Sequence, residues 1–202
     1  MAVGLAGLAS FVDAITFLQF GGFFLSFMSG NSTRLGVGLA QATGVASVAG
    51  GLLASFVAGV VLGSLIGRRT GFWQRSAVLA LVTLLLVGAG SVQALGRLHG
   101  GILFLALAMG AENAVFERNG AASFGLTYMT DALVRVGQGL ASAFSGGDRW
   151  AWAPYLFLWL GLVAGVSAGA LAFAVAGDAS VWIAALLCLL SLSTDHIGRV
   201  GS

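Results

Sequence analysis

The sequence predicts an all-α integral membrane protein of about six transmembrane helices, arranged as two inverted three-helix repeats. Three observations lead there. Hydrophobic residues fill 58% of the 202 positions and charged residues only 8%, against roughly 25% charged in a soluble domain, and mean hydropathy is +1.00. The apolar residues gather into runs close to the ~20 residues that one crossing requires. A set of short motifs in the first half also recurs, in order, in the second.

The spans fall at roughly Ala2–Met28, Ser47–Gly67, Ser76–Leu95, Gly101–Phe116, Trp152–Ala176 and Val181–Leu192 or a little beyond. The first run has no charged leader and exceeds signal-peptide length, so it reads as a retained span. Two further pieces, Ser32–Ala46 and Thr130–Phe144, are helical in pattern but short and polar at their starts. They either extend neighbouring spans or dip into the bilayer as half-helices. Regions 21–46, with the pair Gly21-Gly22, and 120–146 are therefore expected to be glycine-broken or re-entrant. In the second span Ser47, Gly51, Ser55, Gly59, Gly63 and Gly67 recur every fourth residue, and Gly161, Gly165 and Gly169 repeat this in the fifth. Small residues at this spacing form a flat strip that admits a neighbouring backbone, within one subunit or at a dimer seam.

The repeat rests on several matches. Arg34-Leu-Gly-Val-Gly-Leu-Ala40 corresponds to Arg135-Val-Gly-Gln-Gly-Leu-Ala141 (135 − 34 = 101), and Phe27-Met28-Ser29 to Tyr128-Met129-Thr130. The Gly59/Gly63/Gly67 strip lines up with Gly161/Gly165/Gly169 (161 − 59 = 102), and Asp13-Ala14 with Asn113-Ala114 (113 − 13 = 100). This gives one membrane domain, 1–202, with repeat one at 1–97 and repeat two at 98–202. Three spans per repeat invert the second copy, and in such proteins sites lie near the midplane where the repeats meet. Glu117-Arg118-Asn119-Gly120 breaks the match, falling where the first copy has apolar Phe17-Leu18-Gln19-Phe20.

Every base is arginine. Six alternating spans put Arg68, Arg69, Arg75, Arg118, Arg149 and Arg199 on one side and Arg97 on the other. By the positive-inside rule the rich side is cytoplasmic, with both termini there and Gly177-Asp178 outside. Trp150, Trp152 and Tyr155 form an interfacial belt. The arginines are scattered, which excludes a nucleic-acid face. A single cysteine, Cys188, excludes an intrachain disulfide and a cysteine metal cluster. Neither His99 nor His196 has triad or ligand spacing, and no metalloprotease, nucleophile-elbow or phosphate-loop motif occurs. No enzymatic activity, cofactor or metal is expected.

The residues that stand out are ionisable or polar groups inside apolar runs. Asp13 lies in the first run, near its middle. Charges at that depth are costly and usually face a bundle interior or wet cavity. Ser29/Asn31 and Thr130/Asp131 suit helix N-caps, and Arg34 and Arg135 follow just inside. Unpaired N–H groups plus an arginine make each start an anion-attracting point. Asp13, Glu112, Asn113 and Asp131 oppose them. The structural alternatives are buried Asp13–Arg34 and Glu112–Arg135 pairs, or a simple Asp131–Arg135 pair along one helix.

At these residues the chain resembles the YoaK-type bacterial membrane proteins. The likeness is carried by VDAITFL…GGFFLSFMSGNSTRLGVGLA and LALAMGAENAVFERNG…TYMTDALVR, with Ser-Gly-Asn-Ser-Thr-Arg-Leu-Gly the most specific part. The resemblance implies a bacterial inner-membrane protein and no particular activity. Two inverted triplets also resemble half of a major-facilitator transporter, in which case a homodimer completes the path. The expected function is secondary, proton-coupled transport or channel conduction of a small solute or ion. Asp13 would be the coupling acid, Arg34 and Arg135 the substrate or gating charges, and Ser29, Asn31, Glu112, Asn113 and Asp131 pathway residues. The expected partners are the lipid bilayer, the solute and a second copy. A membrane scaffold using its glycine strips to bind partners is the alternative.

Overall fold

The computed structural model describes residues 2–118, 121–122 and 129–200. Eight α-helices carry them: α1 (Ala2–Gln19), α2 (Met28–Ala40), α3 (Val45–Thr70), α4 (Gln74–Ala94), α5 (Leu98–Glu112), α6 (Met129–Phe144), α7 (Ala153–Ala176) and α8 (Ser180–Val200). Two apolar stretches, Val45–Ala94 and Ala153–Asp195, are 50 and 43 residues long, and a third is Leu98–Val115. Each of these is long and apolar enough to cross a membrane. The two longest fold back at a glycine, Gly71 (φ 51°) and Gly177 (φ 54°), so each supplies two antiparallel helices. With α1 and α5 this makes six helices in two triplets, and α2 and α6 are the two further ones.

Contacts between helices fix their directions. Along α3 and α5, Gly51 faces Leu103, Gly59 faces Leu107 and Gly63 faces Ala111. The numbers rise together, so these helices are parallel. Gly161 against Val3, Gly165 against Gly7 and Gly169 against Phe11 make α7 parallel to α1. In contrast, Gly90 meets Trp182, Cys188 Sγ donates to the Leu79 carbonyl and Ser76 Oγ donates to Asp195. Helices α4 and α8 therefore run in opposite directions. Thus α1, α4 and α7 point one way and α3, α5 and α8 the other. Each helix of the first triplet is antiparallel to its counterpart in the second.

The glycine strips explain the closest approaches. A Cβ on Gly63 would lie 2.8 Å from the Ala111 carbonyl oxygen and 3.0 Å from Ala111 Cα. Backbone cannot retreat as a flexible side chain can, so only glycine fits. Gly169 plays the same part against Phe11 and Ala14. The strips are thus spent inside the subunit: the second helix of each triplet, α3 or α7, packs on the first helix of the other, α5 or α1.

The strip alignment expected from the sequence shifts by one helical turn. Gly59 and Gly63 pack as Gly165 and Gly169 do (165 − 59 = 106), not as Gly161 and Gly165. The same spacing relates Gly71 to Gly177, the two turn glycines, whose N–H groups bond back to Gly67 and Phe173. It also relates Ala46 to Trp152. A Cβ on Gly38 would meet Ala46 N at 2.6 Å, and one on Gly139 would meet Trp152 N at 2.7 Å. Because Gly38 and Gly139 keep the spacing of 101, the second copy's α6–α7 connection has gained residues. A motif repeating every fourth residue matches itself after one turn, which hid the insertion.

Boundaries differ from expectation in the first triplet. The first helix stops at Gln19, not Met28, because Gly21 (φ 68°) and Gly22 (φ 91°) take conformations that L side chains avoid. Helix α2 begins at Met28, ahead of Ser32, and ends at Ala40; α3 starts at Val45. In the second copy α5 ends at Glu112, followed by a single 3-10 turn to Phe116 and a two-residue antiparallel pairing of Glu117–Arg118 with Ala121–Ala122. The mismatched Glu117-Arg118 therefore lies beyond the helix. Asn119, Gly120, Tyr128 and part of the 120–146 region lie outside the described residues.

Gly63→Leu is expected to reduce folded yield, and to lower the melting temperature of what remains, at an overpacking cost of about 1–3 kcal/mol. Gly36→Ala, where a Cβ meets nothing within 4 Å, is expected to be neutral or slightly stabilising. Thermal unfolding of both variants in detergent checks this; equal behaviour would put the strip on an open face.

Candidate functional site

The site grows from the break between α1 and α2. After Gln19 the chain does not continue outward. Residues 20–27 turn back along α1 until Leu25 and Ser26 reach Asp13, and α2 then starts from this inner point. A segment without helical hydrogen bonds inside a bilayer has to find partners within the protein. Asp13, 1% exposed, supplies them. Its carboxylate accepts the N–H of Leu25 at 2.5 Å, the N–H of Ser26 at 2.9 Å and the Ser26 hydroxyl.

Asn31 completes the arrangement from the other side. It is fully buried; its Oδ1 accepts the Phe24 N–H at 3.2 Å and its Nδ2 donates to the Phe24 carbonyl at 2.5 Å. Between them, Asp13 and Asn31 satisfy the amides of Phe24, Leu25 and Ser26. The N-terminal end of α2 carries partial positive charge, and Asp13 is the anion seated beside it. The helix start expected to attract an external anion is occupied by the protein's own carboxylate.

This corrects the capping expectation. The N-cap of α2 is Phe27, with no side-chain hydrogen bond, so Ser29 and Asn31 lie inside the first turn. Ser29 is exposed there. Arg34 does not reach Asp13. It donates to the Gly21 carbonyl at 3.1 Å, and its guanidinium lies 4.7 Å from the Phe23 ring centroid. It closes the outer end of the same turn, and Gly22 has no side chain because the guanidinium occupies that space. Phe17, Phe24 and Phe27 stack in series, with centroids 5.3 Å and 5.7 Å apart. With Asp13 and Val166 they line a cavity of about 240 Å³ between the broken hairpin and α7.

The second copy is built differently. Glu112 is 1% exposed, lies within the electrostatic reach of Asp13, and its Oε1 has no hydrogen-bond partner among the described residues. Asn113, the counterpart of Asp13, donates to the Met109 carbonyl of its own helix at 2.9 Å. Asp131 and Arg135 form a half-exposed pair along α6, 2.8 Å apart, and the Arg135 guanidinium lies 5.3 Å from the Tyr155 ring centroid. Of the alternatives read from sequence, this local pair is the one formed. The structure thus gathers Asp13, Asn31 and Arg34 around the first hairpin, has Glu112 within electrostatic range of Asp13, and leaves Asp131 and Arg135 on α6.

Among the buried polar groups that the sequence analysis did not single out are Ser26, which binds Asp13, and Ser10 and Gln93, whose side-chain polar atoms lack partners among the described residues. Ser26 was legible only as part of an apolar run. Gly21-Gly22 was the signal that the run breaks before it.

Comparison with known proteins adds the family. A model described as "Protein of unknown function (DUF1275)" matches residues 1–194. The chain belongs to the DUF1275 family. It is 37% identical over 191 residues to the UPF0700 transmembrane protein RA0705 of Rhizobium meliloti (strain 1021), covering 94% of this chain and 82% of that protein. Both findings agree with the YoaK-type resemblance and with a transmembrane protein. No solved structure matches the chain.

Asn31→Ala would leave the Phe24 amide and carbonyl unpaired, and Asp13→Asn would turn an amide donor onto backbone donors. Each is expected to destabilise the DUF1275 protein by about 1–3 kcal/mol per unpaired group, read as a lowered melting temperature in nanodiscs. Asp131→Asn, at the half-exposed pair, is expected to change it little. A fall in all three alike would mean that the broken hairpin is not specially held.

Proposed function

We propose that this chain is a proton-coupled secondary transporter for a small solute or ion, working where its two inverted triplets meet. The observation that carries the reading is the broken α1–α2 hairpin: a half-helix starting inside the membrane, its N-terminal end on the buried Asp13, beside a cavity bounded by α7. Discontinuous helices at the junction of inverted repeats are how many transporters build midplane sites. Irregular backbone at that depth occurs where protein or a cavity surrounds it. In this reading Asp13 holds the hairpin, and breaking its bonds to Leu25 and Ser26 is the local event that opens the cavity.

The scaffold alternative is weaker, because its supporting feature was the glycine strips. Gly59 and Gly63 contact α5, and Gly165 and Gly169 contact α1, so these strips are not free for partners. Six spans make half of a major-facilitator-like path, and a homodimer in the bacterial inner membrane would complete it. The arginine bias supports cytoplasmic termini.

Orientation is tested by impermeant maleimide on whole cells, in a Cys188→Ala background. A cysteine at Asp178 should be labelled and one at Thr70 spared; the reverse pattern would contradict the orientation. Transport is tested in proteoliposomes with a pH-sensitive dye inside, given amino acids, small carboxylates and inorganic anions singly under an imposed pH gradient. At least one compound should accelerate proton movement, and Asp13→Asn should abolish that response while the protein still reconstitutes. Responses equal to those of empty liposomes across the panel would overturn the reading.

A further inference from the structure

We propose that Glu112 is a proton-binding residue of the membrane interior and that its proton controls how firmly Asp13 holds the α1–α2 hairpin. This deepens the transport reading and rests on it for its functional meaning, since it names the coupling ion and the residue that carries it. Three observations support it: Glu112 is 1% exposed, its Oε1 has no partner among the described residues, and the neighbouring buried acid is Asp13.

The charges around Glu112 can be taken helix by helix. Asp13 on α1 and the Cys188 thiol on α8 lie within electrostatic range of it, and α8 also carries Asp195, which accepts from Ser76. Helix α3 carries only Arg68 and Arg69, and α4 only Arg75. Gly63 is level with Ala111, so Arg68 begins five residues further along α3, about 7.5 Å at ~1.5 Å per residue. Oε1 makes no hydrogen bond to any of them. Arg34 and Arg135 are engaged elsewhere, with Gly21 and with Asp131. Two carboxyl groups thus share an apolar interior, and like charges at such a site disfavour joint ionisation.

Hydrogen bonding decides which carboxyl carries the proton. Asp13 accepts three donors from Leu25 and Ser26, and donors aimed at a carboxyl group favour its charged form. Glu112 offers a buried oxygen without a partner among the described residues. A sodium ion would need several oxygen ligands, and the oxygens of Asp13 are already committed. With Glu112 neutral, Asp13 stays undisturbed on Leu25 and Ser26. Loss of the Glu112 proton places a second negative charge near Asp13, and the bonds that can yield are those to the hairpin.

The test uses the intact wild-type protein in nanodiscs and the apolar reagent dicyclohexylcarbodiimide. The reagent takes the proton and the carboxyl oxygen of a protonated acid, and the adduct rearranges to a stable N-acylurea. Peptide mapping by mass spectrometry should find the label on Glu112 and not on Asp13. It should fall as pH is raised, be lost in Glu112→Gln, and be unaffected by sodium. Label on Asp13 instead, label independent of pH, or no label on Glu112 would overturn the proposal. Protection by sodium would overturn the proton as occupant. Labelling needs no transport: a pH-dependent label without flux leaves the proton site and removes the transporter, and flux without the label does the opposite.

Discussion

The structure depends on a single constraint: backbone that leaves the helix inside a bilayer must find hydrogen-bond partners in the protein. Asp13 and Asn31 meet it for residues 24–26. Without them, the break at Gly21-Gly22 would expose three amides to hydrocarbon, each unsatisfied group costing several kcal/mol in lipid. Arg34 closes the outer end of the same turn by way of Gly21 and Phe23. Asp13, Asn31 and Arg34 thus share one task. The cavity beside Phe17, Phe24 and Phe27 exists because the hairpin is held inward.

Against that constraint, the two triplets are alike in packing and unlike in chemistry. Gly63 on Ala111 and Gly169 on Phe11 are equivalent close approaches, and Gly71 and Gly177 are equivalent turns. Yet Asn113 stands where Asp13 does, and Ala132 where Asn31 does at the spacing of α2 and α6. Asn113 bonds to its own helix, and buried Ala132 has no polar side chain. The hairpin-holding groups therefore belong to the first copy, while Glu112, whose Oε1 lacks a hydrogen-bond partner among the described residues, belongs to the second. The packing of the two halves is thus symmetric, and the set of polar groups where they meet is not.

Much of this was legible in the sequence. Apolar runs of membrane length, the every-fourth-residue glycines and the arginine repeat gave the six helices of the two triplets, the two further helices and the opposed directions. Asp13 was singled out because charge is costly at that depth, Asn31 as a cap candidate and Glu112 as an acid opposing the arginines. Their partners were not legible. Pairing acid with base by charge suggested Asp13–Arg34, whereas the decisive need was backbone donors without helical partners, which appear only once the chain is seen to turn back. Capping logic misplaced Asn31 because Ser-Gly-Asn-Ser-Thr fits a helix start, although the helix begins at Met28. The strip alignment slipped by one turn because a period of four residues cannot reveal its own register.

The most direct test of the account is amide hydrogen exchange, resolved to single residues, on the protein in nanodiscs. The amides of Leu25 and Ser26 are expected to exchange as slowly as those in the middle of α1, although neither lies in a helix, and to lose that protection in Asp13→Asn. Exchange as fast as that of the exposed turn at Ala42–Thr43 in the unsubstituted protein would contradict it, because the hairpin would then not be held by Asp13.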